Sequence, residues 1–151
     1  MKHKNKTTKN AEFHCSKESP GDQKALEWDN MEKFGWYGHM LKKDSHSPTG
    51  SSYHTHGFEK NFKHLDIQIV LQIAAELAHR IAAKIASLIK RKKIFREGVQ
   101  YSGIIKKFKV CFLLATESDR KVLRVILPTK KGILDKEKMN DILFEKQWKE
   151  V

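Results

Sequence analysis

The residues best suited to chemistry lie in Tyr53-His54-Thr55-His56-Gly57-Phe58 and, just after it, Asn61-Phe62-Lys63-His64-Leu65-Asp66. On an extended segment alternate side chains share a face, so His54 and His56 point the same way, about 6.6–7 Å apart along the chain. Two imidazoles at that spacing can converge on one ion. His64 or Asp66, arriving through a short loop, would supply a third ligand and leave a position open to water. Histidine and carboxylate ligands suit Zn, Mn or Fe, and the matching chemistry is that of a metal-dependent hydrolase. The competing reading has His54 and His56 lining a polar, half-buried face and hydrogen-bonding to neighbouring strands. A general base at His64 oriented by Asp66 is a further arrangement, although such a pair on a regular strand shares a face and simply hydrogen-bonds. No residue is assigned a catalytic role on this basis.

The elements that must position these side chains follow from periodicity and punctuation. Ala25 to Phe34 has helical spacing, with Asp22 as a cap and Gly35 as its end. Trp36 to Leu41 and Ser52 to His56 read as antiparallel strands around a polar loop, and Gly57 to Lys63 reads as a second loop. Leu65 to Leu71 is the strongest strand signal. Between Ala74 and Lys90, Ala74, Leu77, Ala78, Ile81, Ile85, Leu88 and Ile89 form one apolar stripe, which predicts a long alanine-rich helix. Lys109 to Ala115 and Val122 to Leu127 predict a hairpin around Glu117-Ser118-Asp119-Arg120. Asp135 caps a final helix to about Trp148, with Met139, Ile142 and Leu143 inward. The expected fold is α+β: a mostly antiparallel sheet of about five strands covered by the long helix, with shorter N- and C-terminal helices.

The chain has 151 residues and a formal net charge of +12. Residues 1–24 are lysine-rich with few apolar anchors and read as a flexible basic tail, leaving 25–151 as a single domain. Two cysteines, Cys15 and Cys111, make no disulfide framework. Lys2 to Asn10 is polar where a signal peptide would be apolar, and the apolar region Ile67 to Ile89 is interrupted by Glu76, Arg80 and Lys84. A cytoplasmic setting without membrane contact is the expectation. Basic charge is concentrated on one helix and the segment after it. Arg80, Lys84 and Arg91 align on the face opposite the apolar stripe, continued by Lys92, Lys93 and Arg96. That stripe would bind nucleic-acid phosphates without reading sequence, or serve as a solvated helix face. No Walker A loop, Rossmann fingerprint, Cys-x-x-Cys pair or His-Glu-x-x-His helix is present, so the sequence names no reaction.

Glu32-Lys33-Phe34-Gly35-Trp36, His54-Thr55-His56-Gly57-Phe58 and Phe62-Lys63-His64-Leu65-Asp66 together resemble the motif series of a bacterial family, domain of unknown function 4262. Phe95, Gly98 and Tyr101 match its later Phe-x-x-Gly-x-x-Tyr, and Pro128 and Gly132 match its closing Pro-Asp-x-x-Gly. His54 stands where the family has Tyr, Leu65 replaces Pro, Asp66 replaces Glu, and Thr129 replaces Asp. The resemblance marks a divergent member. It implies a fold and a bacterial or phage source, and it leaves an accessory or binding domain of unassigned activity as the leading reading, with partner and oligomeric state open.

Overall fold

The computed structural model describes residues 20–150. Most of the expected tail, with Cys15, therefore lies outside the described residues. The element order is α1 (Pro20–Phe34), β1 (Tyr37–Leu41), β2 (Ser52–His56), α2 (Phe58–Phe62), β3 (Ile67–Ile69), α3 (Ala75–Lys90), β4 (Cys111–Glu117) and β5 (Arg120–Ile126). A short α4 (Ile142–Glu145) follows, with single 3-10 turns at Lys136–Lys138 and Lys146–Trp148. The five strands form one sheet in the order β1-β2-β3-β5-β4. Every neighbouring pair is antiparallel except β3 with β5. This is the expected α+β architecture. Among the described residues, no helix is long and apolar enough to cross a membrane.

One face of the sheet packs on α3. The helix buries Ala78, Ile81, Ala82, Ile85, Ala86 and Ile89 against Tyr53, Ile67, Ile69, Phe112, Leu123 and Val125. Alanines at the contact allow close approach of helix and sheet, and the exposed Arg80, Lys84 and Arg91 keep the outer face solvated. The other face is divided. At the β4–β5 end Cys111, Ile126, Leu134 and Met139 form a second apolar cluster with Phe144 and Trp148 packed on it. At the β1–β2 end the same face is polar. Between the two, Arg124 is buried and donates to Gln68 Oε1 and to the carbonyls of Gln147 and Lys149, at 2.7–2.9 Å.

Four elements differ from the expectations. α1 begins at Pro20, so Asp22 is inside the helix and is not its cap. The segment expected as a loop after Gly57 contains α2. Its first amide, Phe58 N, is satisfied from outside by the Asp66 carboxylate at 3.1 Å, a partner that local sequence does not reveal. β3 is only three residues long. Leu65 and Asp66 precede it as a turn to α2, and Val70 O leaves the ladder to accept the Thr49 hydroxyl. The final helix is broken, because Asp135 caps a 3-10 turn at Glu137 N and Asp141 caps a second start at Leu143 N. Of the three residues expected inward, Met139 is buried, while Ile142 and Leu143 are exposed.

Candidate functional site

The antiparallel register of β1 and β2 sets Tyr37 opposite His56 and His39 opposite His54. Both pairs stack, with ring centroids 4.9 Å and 5.2 Å apart, and the rings of His54 and His56 meet edge-on at 4.8 Å. Cross-strand neighbours on one face touch in this way because the pleat brings their Cβ atoms together. His54 and His56 therefore do share a face, as their spacing requires. They open, with Leu41, Asp44, His46, Glu117 and Arg120, onto a cavity of about 370 Å³ beside the β4–β5 turn.

Arg120, the first residue of β5, ties this site together. Its Nε and Nη2 both donate to Glu117 Oε2, at 3.0 and 2.8 Å. Nη2 also donates to Thr55 O at 2.9 Å and Nη1 to Asp66 Oδ2 at 3.3 Å. Burial would raise the Glu117 carboxyl, but the neighbouring His54 and Arg120 outweigh it and hold the group down at about 2. Its other oxygen, Oε1, lies 2.9 Å from His54 Nδ1. Neither of these two buried atoms has a hydrogen-bond partner beyond this contact. Native structures leave few such groups, and those that persist concentrate at functional positions.

Desolvation, reinforced by His54 and Arg120, pushes His56 down to about 3. The ring is neutral at pH 7. Because its folded value lies below the ordinary 6.5, the unfolded chain binds the proton first as pH falls. The stabilisation is complete above pH 6.5 and is lost progressively towards pH 3. Allowing for the ring's partial contact with solvent, this loss amounts to about 2 kcal/mol. Urea midpoints at pH 7 and pH 4 should differ by less in His56→Gln than in the parent protein. Equal pH sensitivity would contradict the assignment.

His64 and Asp66 do not join this pair. His64 Nδ1 is 2.8 Å from Leu65 O and its Nε2 accepts the Phe95 amide at 3.2 Å. Those partners specify a neutral ring with its proton on Nδ1. His64 is thus a strut between the start of β3 and the segment after α3. Asp66 accepts the Thr55 hydroxyl at 2.8 Å besides Phe58 N and Arg120, while the Thr55 Oγ1 accepts Ile67 N at 2.9 Å. Burial raises the Asp66 carboxyl against the opposing pull of these hydrogen bonds and Arg120. Among the described residues, no group of three or more His, Cys, Asp or Glu side chains is placed to hold a metal ion.

Sequence reasoning passed over His39, Glu117 and Arg120. Tyr37 and His39 alternate on β1 as His54 and His56 do on β2, which would have paired them had the register been drawn. Glu117 and Arg120 look like hairpin-loop charges until the loop proves to be only Ser118-Asp119. On α3, Arg80 and Lys84 are exposed on one helix face, and Arg91, just past its end, is exposed too.

The profile of one protein family, described as Domain of unknown function (DUF4262), matches residues 30–137. No curated protein and no solved structure matches the chain significantly.

Proposed function

Because the chain belongs to the DUF4262 family, a domain of unknown function, we propose from its geometry that it is a binding domain for a small cationic ligand. The ligand would be an ammonium or guanidinium, held in the cavity of His54, His56 and Glu117. The carrying observation is the balance of charge and hydrogen bonding around that cavity. Among the described residues, Asp44, Glu117 and Asp119 line it against a single permanent cation, Arg120. The Arg120 donors are already committed to Glu117, Asp66 and Thr55. An anionic ligand finds no free cation there, whereas an N–H donor finds carboxylates and neutral imidazole. A neutral His56 also suits a positive ligand, since like charge would not oppose it. Buried Cys111, a free thiol raised to about 11 by burial, supports a reducing cytoplasmic setting.

The test is calorimetric titration with methylguanidinium, butylammonium, acetate and Zn²⁺, with histidine NMR resonances as the site reporter. Either cation should shift the His54 and His56 signals saturably. Asp119→Asn, at the exposed edge of the cavity, should weaken binding several-fold without unfolding the protein. Saturable binding of acetate at these histidines, or of Zn²⁺ at one equivalent with neither organic cation binding, would refute the proposal.

A further inference from the structure

A second cavity, of about 570 Å³, lies between the C-terminal ends of α2 and α3, remote in chemistry from the histidine site. Lys63, Lys90, Lys92 and Lys93 line it together with Phe62 and Ile94, and among the described residues no acidic side chain contributes to its wall. Among the described residues none of the four lysines forms an ion pair. Lys90 Nζ instead rests 5.4 Å from the Phe62 ring centroid, and Lys93 Nζ 5.2 Å from that of Tyr101. Four uncompensated ammonium groups around one concavity repel each other, which a bound polyanion would relieve.

The helix macrodipole favours cations at the end of α3, and that accounts for the sign of Lys90. It does not account for the backbone. Lys63 caps α2 with φ 53°, and Lys92 follows α3 with φ 72°, both left-handed. Glycine, or next asparagine, is the residue that takes this conformation without strain at a helix end. Of the three left-handed lysines, Lys63, Lys92 and Lys107, the two at helix ends both line this cavity. The two lysine-bearing segments are also pinned together, since His64 beside Lys63 accepts the Phe95 amide just beyond Lys93. The charges are therefore held at a set separation before any ligand arrives.

We propose that this cavity binds a phosphate-bearing small molecule with a planar apolar part, a nucleotide, with the lysines on its phosphates and the base against Phe62 and Ile94. The size suits one small ligand, since such cavities run from about 300 to 1,000 Å³. Lysine serves phosphate as a point charge, and an aromatic ring offers a base its π-face.

The experiment is calorimetric titration of the full chain with ATP, pyrophosphate, adenosine and a single-stranded dT oligonucleotide. ATP should bind at one site, pyrophosphate more weakly, and adenosine undetectably. In the double variant Lys63→Gly/Lys92→Gly the affinity for ATP should fall at least tenfold. Thermal stability should be unchanged or higher, because glycine relieves both left-handed positions. Phe62→Leu should weaken ATP several-fold and leave pyrophosphate unaffected. ATP binding that survives the glycine pair, or that is lost instead on Arg80→Gln/Lys84→Gln, overturns the site. An oligonucleotide binding tenfold more tightly than ATP overturns the small-molecule class.

Discussion

Arg120→Ala is expected to destabilise the protein by about 3–5 kcal/mol, the scale for removing one partner of a buried charge cluster. The side chain is only 25% exposed, while those of Glu117 and Asp66 are 10% and 6% exposed, so solvent screens little of the loss. Without the guanidinium, Glu117 Oε2 and Asp66 Oδ2 are left as buried carboxylate oxygens, and Thr55 O loses a donor. Lysine should restore only part of the loss, because it offers one point charge where Arg120 uses three nitrogens at once. Two further measurements isolate the cause. The triple variant Arg120→Leu/Glu117→Gln/Asp66→Asn, which removes all three charges of this cluster, should recover a large share of the stability. The Arg120→Ala deficit should also shrink at acid pH, where the orphaned carboxyls take up protons. A deficit independent of pH and unrelieved in the triple variant would mean that lost packing, not uncompensated charge, is responsible.

Gly57→Ala should cost about 3 kcal/mol or more, for two reasons that add. The residue has φ 107°, a conformation that side chains rarely adopt. A Cβ would also overlap the Gly35 carbonyl oxygen and approach Met31 Sδ at 2.9 Å, where the end of α1 crosses the end of β2. Gly50 is the internal control. Its φ is 85°, yet a Cβ there meets nothing within 4 Å, so Gly50→Ala should show the backbone term alone, about 1 kcal/mol. Urea denaturation of both variants separates the two terms. Equal destabilisation at the two positions would show that the close approach at Gly57 carries no weight.

These two positions show how differently sequence and tertiary structure bear on the site. The glycine after β2 is legible as a position that needs either a backbone conformation closed to other residues or close approach by another segment, and it has both. The facing of His54 and His56 follows equally directly, since a strand repeats every two residues. The long helix was legible for the same kind of reason: its apolar stripe has to meet something, and a sheet is what the strands supply. Arg120 was not legible. Its partners are Glu117, three residues away, and Asp66 and Thr55, which are 54 and 65 residues away. No local pattern encodes bonds of that range, and the expected hairpin loop hid both members of the pair.

The same limit explains why the histidines divide. His64 and Asp66 are close in sequence to His56, and proximity suggested a shared ion. The turn into α2 reverses the chain between them, so Asp66 is drawn to the start of that helix and His64 to the Phe95 amide. Likewise the basic stripe of α3 is a property of the helix alone, while the lysine cavity exists only because α2 ends beside α3.

What the sequence by itself determined are quantities set within one element: strand and helix periodicity, the shared face of His54 and His56, the exposed face of Arg80 and Lys84, and the motif series of the family. Only the tertiary structure decided which side chains meet across elements. It set His39 on His54, Glu117 beneath them, Arg120 across three strands, and four lysines around one cavity. The physical reason is that hydrogen bonds and charges act over a few ångströms in space, and neighbours at that range are fixed by sheet order and register rather than by separation along the chain.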